Sequence, residues 1–285
     1  SSSSPIPTST SSATFIVCQL IVYGKLYEMV KYISDKIKVA ELVLVGIGEE
    51  LDAVEAIKKE RRYCDITGNF EDGRMLPFIE KVLSGQKKSG MTEIYNLLAK
   101  CLEKKNYFIV SLCRDGFIRE SGLDLERVAE PCGGYDRLQC IEKCSSELYD
   151  VPVKALCRAE HYINGKPLDG GWEEPVCPKC GKPLVFNNVD AANYVEEGYL
   201  DKWSLYRKWL QGTVNRNVCI LEIGVGMKYP TVIRWPFEKI SFYNKKAEFF
   251  RIHSKLYQIP KEMKENGHGI CQRPEEFIKK LSVNF

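Results

Sequence analysis

The sequence predicts an α/β protein, a Rossmann-like parallel sheet with helices on both faces plus a small inserted zinc module. Three observations lead there: short continuous apolar runs alternating with helical patterns, a glycine pair directly after two of those runs, and two close cysteine pairs in a stretch of different texture.

Composition sets the bounds. With 285 residues, 44% hydrophobic and 11% aromatic, the chain can bury a sizeable core, which excludes wholesale disorder. Forty-one basic against 38 acidic residues leave a formal charge of +3, too weak a field for nonspecific nucleic-acid binding. Residues 241–285 carry a basic surplus that fits a solvated helix face, so no nucleic acid is expected as a partner. No run of about 18 apolar residues is present to cross a bilayer, so no membrane is expected. Residues 1–13 are rich in Ser, Thr and Pro and lack the basic start of a secretory signal. They read as a solvated tail on a cytoplasmic protein.

The apolar runs at residues 41–45, 107–111, 218–223 and 248–252 suit strands covered on both faces. Helical spacing connects them. Ile16, Leu20, Tyr23, Leu26, Met29, Val30 and Ile33 predict a helix over 15–38, and Ile94, Leu97, Leu98 and Leu102 one over 91–105. Tyr194, Leu200, Trp203, Tyr206 and Trp209 predict a third over 191–211, and Pro274 opens a short closing helix to residue 281. Between 140 and 182 periodicity fades while cysteines, prolines and glycines crowd together. This stretch reads as a coreless inserted module. The expected layout is a tail at 1–13, a Rossmann-like domain from 14–139 and 183–285, and a zinc module at 140–182.

Cys140-x3-Cys144 and Cys177-Pro-Lys-Cys180-Gly181 supply four thiolates in two pairs separated by 32 residues. A two-residue gap puts both sulfurs of the second pair on one side of a tight turn, and the glycine frees the backbone there. Structural Zn²⁺ is the expected occupant; disulfides or separate free thiols are the alternatives. Four protein ligands leave no water position, so a catalytic zinc is not expected. Cys157 and His161, inside the loop, read as packing or surface residues with ligand exchange as the alternative.

Gly46-Ile-Gly48 and Gly224-Val-Gly226 each follow a predicted strand, the edge of a parallel sheet where nucleotides bind. Ordinary strand-to-helix turns are the alternative. The segment Cys219-Ile-Leu-Glu-Ile-Gly-Val-Gly-Met-Lys-Tyr-Pro-Thr-Val-Ile-Arg-Trp-Pro-Phe237 resembles the late nucleotide-binding segment of sirtuins, the Sir2 family of NAD-dependent deacylases and ADP-ribosyltransferases. It is most similar to the macrodomain-linked bacterial branch. Ser111-Leu-Cys-Arg-Asp115 has the layout of the family's Thr-x-Asn-x-Asp region, and Pro131-Cys-Gly-Gly134 resembles its His-Gly segment leading to the first zinc cysteine. The motifs occur in the family's order over residues 37–259.

The resemblance implies an NAD⁺ cleft between a Rossmann-like domain and a zinc module, and a protein or acylated protein as acceptor. It implies that Gly46 and Gly48 lie near the pyrophosphate, Gly224, Val225 and Gly226 on the adenosine side, and His253 near the adenine ribose. Ser111 keeps a hydroxyl where the family often has Thr, and Asp115 matches the nicotinamide-side Asp. Two positions depart from the pattern. Cys132 stands in place of the family's catalytic His, and Cys113 in place of the Asn that contacts the nicotinamide ribose. Glu49-Glu-Leu-Asp52 replaces the small residues after the first glycine pair, and these carboxylates repel a pyrophosphate there. A guanidinium over the ligand is sought in Arg61, Arg62 or Arg74, each of which also reads as a solvated surface residue.

Three readings follow. The first is a sirtuin-like protein that binds NAD or an ADP-ribose-like ligand, with weak or altered ADP-ribosyl transfer or deacylation because Cys132 occupies the catalytic His position. The second is a catalytically inactive scaffold for protein interaction. In the third, Cys113 and Cys132 form a redox pair or Cys132 acts as a nucleophile, against which two buried space-filling thiols must be weighed.

Overall fold

The computed structural model describes residues 10–68, 70 and 73–285, with side chains from residue 24 onward. In chain order its elements are α1 (Thr10–Val39), β1 (Leu42–Ile47), α2 (Ala53–Ile57), α3 (Arg61–Thr67), α4 (Leu76–Gly85), α5 (Lys88–Leu102), β2 (Tyr107–Ser111), β3 (Val128–Ala129), β4 (Gly133–Cys140), β5 (Leu148–Asp150), α6 (Val153–Ile163), β6 (Leu184–Asn188), α7 (Glu197–Gln211), β7 (Val218–Ile223), α8 (Arg234–Tyr243), β8 (Glu248–His253), β9 (Gly267–Cys271) and α9 (Pro274–Ser282). The expected tail lies outside the described residues up to residue 9, and the side chain of Cys18 lies outside them too.

All four apolar runs became strands of one six-stranded parallel sheet, ordered β3-β2-β1-β7-β8-β9. Every residue of β1, β2 and β7 is buried, as a sheet sandwiched between helix layers requires. Alternate residues face opposite layers. Val43, Val45 and Ile47 meet α1, α5 and α9 through Ile33, Leu98 and Phe277; Leu42 and Leu44 share a second cluster with Tyr206 of α7 and Phe237 of α8. The closing helix places Glu275 and Glu276 in its first turn and Lys279 and Lys280 in its last, which suits its dipole, and buries Phe277, Ile278 and Leu281.

A second, antiparallel sheet of order β5-β4-β6 brackets the cysteine pairs. The structure corrects the expectation of a coreless insert. Tyr135, Leu138 and Phe186 of this sheet join Ala155 and Ala159 of α6 in a cluster with Val54, Ile57, Phe78, Ile79 and Leu83 from α2 and α4. The core is borrowed from helices far away in sequence, so no local periodicity announced it. Among the described residues, no helix is long and apolar enough to cross a membrane.

Candidate functional site

The four cysteines Cys140, Cys144, Cys177 and Cys180 converge, with their sulfurs all within 4.8 Å of one another. Cys140 Sγ lies 3.4 Å from Cys180 Sγ, and Cys144 Sγ 3.6 Å from Cys177 Sγ. A disulfide needs about 2.05 Å, whereas four thiolates around a tetrahedral Zn²⁺ with Zn–S of about 2.3 Å stand about 3.8 Å apart. The set therefore fits a shared thiophilic cation. Two turns build it: the amide of Gly181 donates to Cys177 O at 2.8 Å, with Gly181 at φ 69°, and the amide of Lys143 donates to Cys140 O at 3.0 Å. Burial pushes the Cys177 thiol up and the amides of Cys180 and Lys179 bring it down, while the neighbouring thiols push Cys144 up, so the four share their protons unequally and a shared cation would release them. Cys157 and His161 sit exposed on α6 and are not part of the cluster.

The second site lies at the carboxyl edge of the parallel sheet, where segments from five places in the chain meet. The amide of Gly48 donates to Ile223 O at 3.0 Å, that of Gly224 to Ile252 O at 2.7 Å, and that of Leu112 to Ile47 O at 2.8 Å. A Cβ at Gly48 would lie 2.3 Å from Val225 Cα, so only glycine lets the loops after β1 and β7 touch. Gly46 serves packing: a Cβ there would meet Ile233 Cγ2 at 2.5 Å, beneath the start of α8.

The polar groups of the loops at this edge are largely satisfied from within, with buried Tyr95 Oη and Glu130 Oε1 nearby unpartnered among the described residues. Ser111 Oγ accepts from the Cys113 amide at 3.2 Å, and Cys113 Sγ donates to Gly48 O at 3.3 Å. Asp115 accepts from the amides of Ala53 at 2.8 Å and Phe117 at 2.9 Å. His253 Nδ1 accepts from the amides of Lys255 at 3.0 Å and Leu256 at 2.9 Å, so it caps the turn after β8 as a neutral imidazole; burial pushes its pKa down accordingly. Val225 offers its carbonyl to Arg234 Nη1 at 2.8 Å. Glu49, in the loop after β1, accepts from the amide of Gly226 at 2.7 Å and that of Lys228 at 3.3 Å.

Cys132 lies buried just before β4, its carbonyl accepting from the Val189 amide at 3.1 Å. Burial pushes its thiol up to about 12, with Arg114 opposing, so it is protonated at neutral pH. Cys113 is driven up as well, by burial and then by Asp52 and Asp115. Neither thiol is set up to accept a proton at neutral pH.

Sequence reasoning missed Arg114, the cation at the centre of this edge. Its side chain is 1% exposed; Nη2 donates to Glu55 Oε1 at 2.6 Å, Nη1 to Asp190, and Nε lies 3.6 Å from Asp52 Oδ2. The guanidinium thus joins α2 to the segment after β6. The available signal was its position beside Asp115 at the end of a buried strand, where a charge needs partners. The arginines sought for the ligand lie elsewhere: Arg61 near Asp65 at 3.7 Å, Arg62 donating to Gln86 at 2.9 Å, and Arg74 paired with Glu174 at 3.0 Å.

Among solved structures, three Sir2 proteins superpose over nearly the whole chain. One, solved for the mechanism and regulation of Sir2 enzymes, gives a TM-score of 0.50 at 15% identity, over 90% of this chain and 97% of that one. A second, a complex with EX-527, 2'-O-acetyl-ADP-ribose and a deacetylated p53 peptide, gives 0.52 at 13%, over 89% and 97%. A third, a mutant Sir2 homologue with 2'-O-acetyl ADP ribose, gives 0.51 at 13%, over 90% and 94%. The chain has the Sir2 fold.

No family model matches this Sir2-fold chain. Curated proteins similar to it are a protein ADP-ribosyltransferase of Staphylococcus aureus, 27% identical over 176 residues, and a probable bifunctional ADP-ribose hydrolase/ADP-ribosyltransferase of Fusarium oxysporum, 24% identical over 188 residues. These alignments take in 60% and 63% of the chain but only 54% and 32% of the two relatives. At the carboxyl edge of the sheet, Glu49 holds the Gly226 and Lys228 amides, backbone donors of the kind that anions take.

Proposed function

We propose that this chain is a divergent sirtuin-like protein whose cleft binds NAD or an ADP-ribose-like ligand, with weak or altered ADP-ribosyl transfer or deacylation. The observation that carries the reading is the meeting of Gly48, Ser111, Cys113, Gly224, Gly226 and His253 at one sheet edge, in the order the sequence motifs require. The naming of both curated relatives as ADP-ribosyltransferases supports it. NAD, when bound, supplies the ADP-ribosyl group. The acceptor in this reading is a protein or acylated protein, by likeness to the Sir2 structure that holds a peptide. The four-cysteine cluster holds structural Zn²⁺.

The chain's own residues account for the weakness. A protonated Cys132 cannot take a proton from a ribose hydroxyl, and losing a general base costs roughly 100- to 10,000-fold, about 3 to 5 kcal/mol of barrier. Asp115 has both oxygens committed to backbone amides.

A second reading, a catalytically inactive scaffold for protein interaction, is favoured by Glu49 filling the loop amides. Calorimetric titration with NAD and with ADP-ribose separates the two, together with transfer of label from NAD to a protein acceptor. Binding supports the first reading, and label transfer locates its activity. Absence of heat at millimolar concentrations of both ligands leaves the scaffold.

A further inference from the structure

The two carboxylates after β1 do what a bound anion would do. Glu49 accepts from the amides of Gly226 and Lys228, 2.7 and 3.3 Å away, on the loop after β7. Glu50 accepts from the Ser254 amide at 3.1 Å and from the Ser254 hydroxyl, at the end of β8. Among the described residues no lysine or arginine is paired with either. Their hydrogen-bond partners are a row of backbone donors spanning two neighbouring loops, together with one hydroxyl, and the His253 ring lies beside Glu50, Nδ1 3.5 Å from Oε2. Such donors are the recognition elements for phosphate oxygens, and a carboxylate already seated on them both removes the donors and repels a second anion.

We propose that Glu49, with Glu50 beside it, is the specificity-determining residue of the cleft: an internal carboxylate occupies the donors, and an ADP-ribose-type ligand binds only by displacing it. This rests on the ligand class proposed above. A ligand without a diphosphate is not opposed in the same way, so the pair discriminates by charge rather than by shape.

Binding of ADP-ribose and of adenosine by calorimetry tests this in the wild-type chain, Glu49→Gln and Glu50→Gln. Glu103→Gln, exposed after α5 at the opposite edge of the sheet, serves as a charge-matched control. The glutamines keep the size of the side chain and remove its charge. Glu49→Gln is expected to bind ADP-ribose about tenfold more tightly than wild type, with adenosine changed less than about threefold and the control unchanged. Unchanged ADP-ribose binding in both variants, or an equal gain for both ligands, overturns the proposal while leaving the cleft an ADP-ribose site. If no form of the protein binds ADP-ribose or adenosine at millimolar concentration, the cleft reading itself fails and the specificity proposal with it. Hydrogen exchange gives a readout free of ligand. Amides of residues 226–228 should exchange faster in Glu49→Ala, and unchanged exchange also overturns the proposal.

Discussion

Arg114 Nε lies 3.6 Å from Asp52 Oδ2, and both side chains are buried. The same guanidinium reaches Glu55 and Asp190, so it faces three carboxylates at the sheet edge, and Lys228 Nζ, 2.9 Å from Glu55 Oε1, shares one of them. Even so, burial and the neighbouring Asp115 hold Asp52 at about 7; burial likewise raises Asp115 to about 6 and Glu130 to about 7.

These raised carboxyls make stability depend on pH. Unfolded, they titrate near about 4, so the folded chain retains protons that the unfolded chain has released. Their contribution is complete below about pH 4 and is lost as pH rises through about 7. His253, pushed down by burial, works the other way: its contribution is complete above the free imidazole value of about 6.5 and is lost as pH falls from there through the lower folded value. With zinc kept in excess, the free energy of unfolding should fall between pH 6 and pH 8. Asp52→Asn keeps an acceptor for the Val54 amide and should flatten that slope. Urea titrations at pH 6, 7 and 8 with equal slopes in both proteins would contradict the assignment.

Cysteine labelling reads the thiol environments directly. Cys64, Cys157 and Cys271 are exposed, whereas Cys113 and Cys132 are buried and raised. With zinc protecting the exposed Cys144 and Cys180, alkylation at pH 7.5 followed by mass spectrometry should mark Cys64, Cys157 and Cys271 first and leave Cys132 unmodified until the chain unfolds. Early modification of Cys132 would restore the nucleophile reading that its burial argues against.

Much of this was legible in the sequence. Continuous apolar runs gave the central strands because burial on both faces leaves no room for alternation, and the cysteine spacing foretold the convergence of four sulfurs. β9 escaped notice: Gly267–Cys271 contains two glycines, and its place is set by backbone pairing with β8, which composition does not encode. α6 was hidden in a stretch read as irregular because it buries only Ala155 and Ala159. Glu49 was recognisable as an obstacle to phosphate, but its seat on the amides of a loop 177 residues away was not. The Arg114 clamp was equally invisible, since Glu55 and Asp190 lie 59 and 76 residues away in the chain.

Metal removal should unsettle more than the cysteine loop. Cys140 and Cys177 belong to the same apolar cluster as Phe78, Ile79 and Leu83 of α4. Structural zinc can contribute on the order of 10 kcal/mol to folding. Elemental analysis should find one zinc per chain. Chelation or Cys177→Ser should lower the melting temperature and open both residues 140–182 and α4 to protease. A metal-free protein with the same melting temperature and protease pattern would remove zinc from the account.

The contact between Gly48 and the loop after β7 yields the last prediction, because it sets how closely Glu49 approaches Gly226. A Cβ on Gly48 would fall 2.3 Å from Val225 Cα and 2.4 Å from Gly224 O, both backbone atoms that no rotamer change can move aside. Gly48→Ala must therefore part the two loops, at a cost of about 1–3 kcal/mol or more by the precedent of overpacked cores. Gly90 is the internal contrast: it lies in α5, is exposed, and has nothing within 4 Å of its missing Cβ. There alanine should stabilise by about 0.5–1 kcal/mol through helix propensity and a stiffer unfolded chain. Denaturant midpoints should move in opposite directions for the two variants. A Gly48→Ala protein as stable as wild type would mean that the loops are not in contact and that Glu49 is not held on the Gly226 amide.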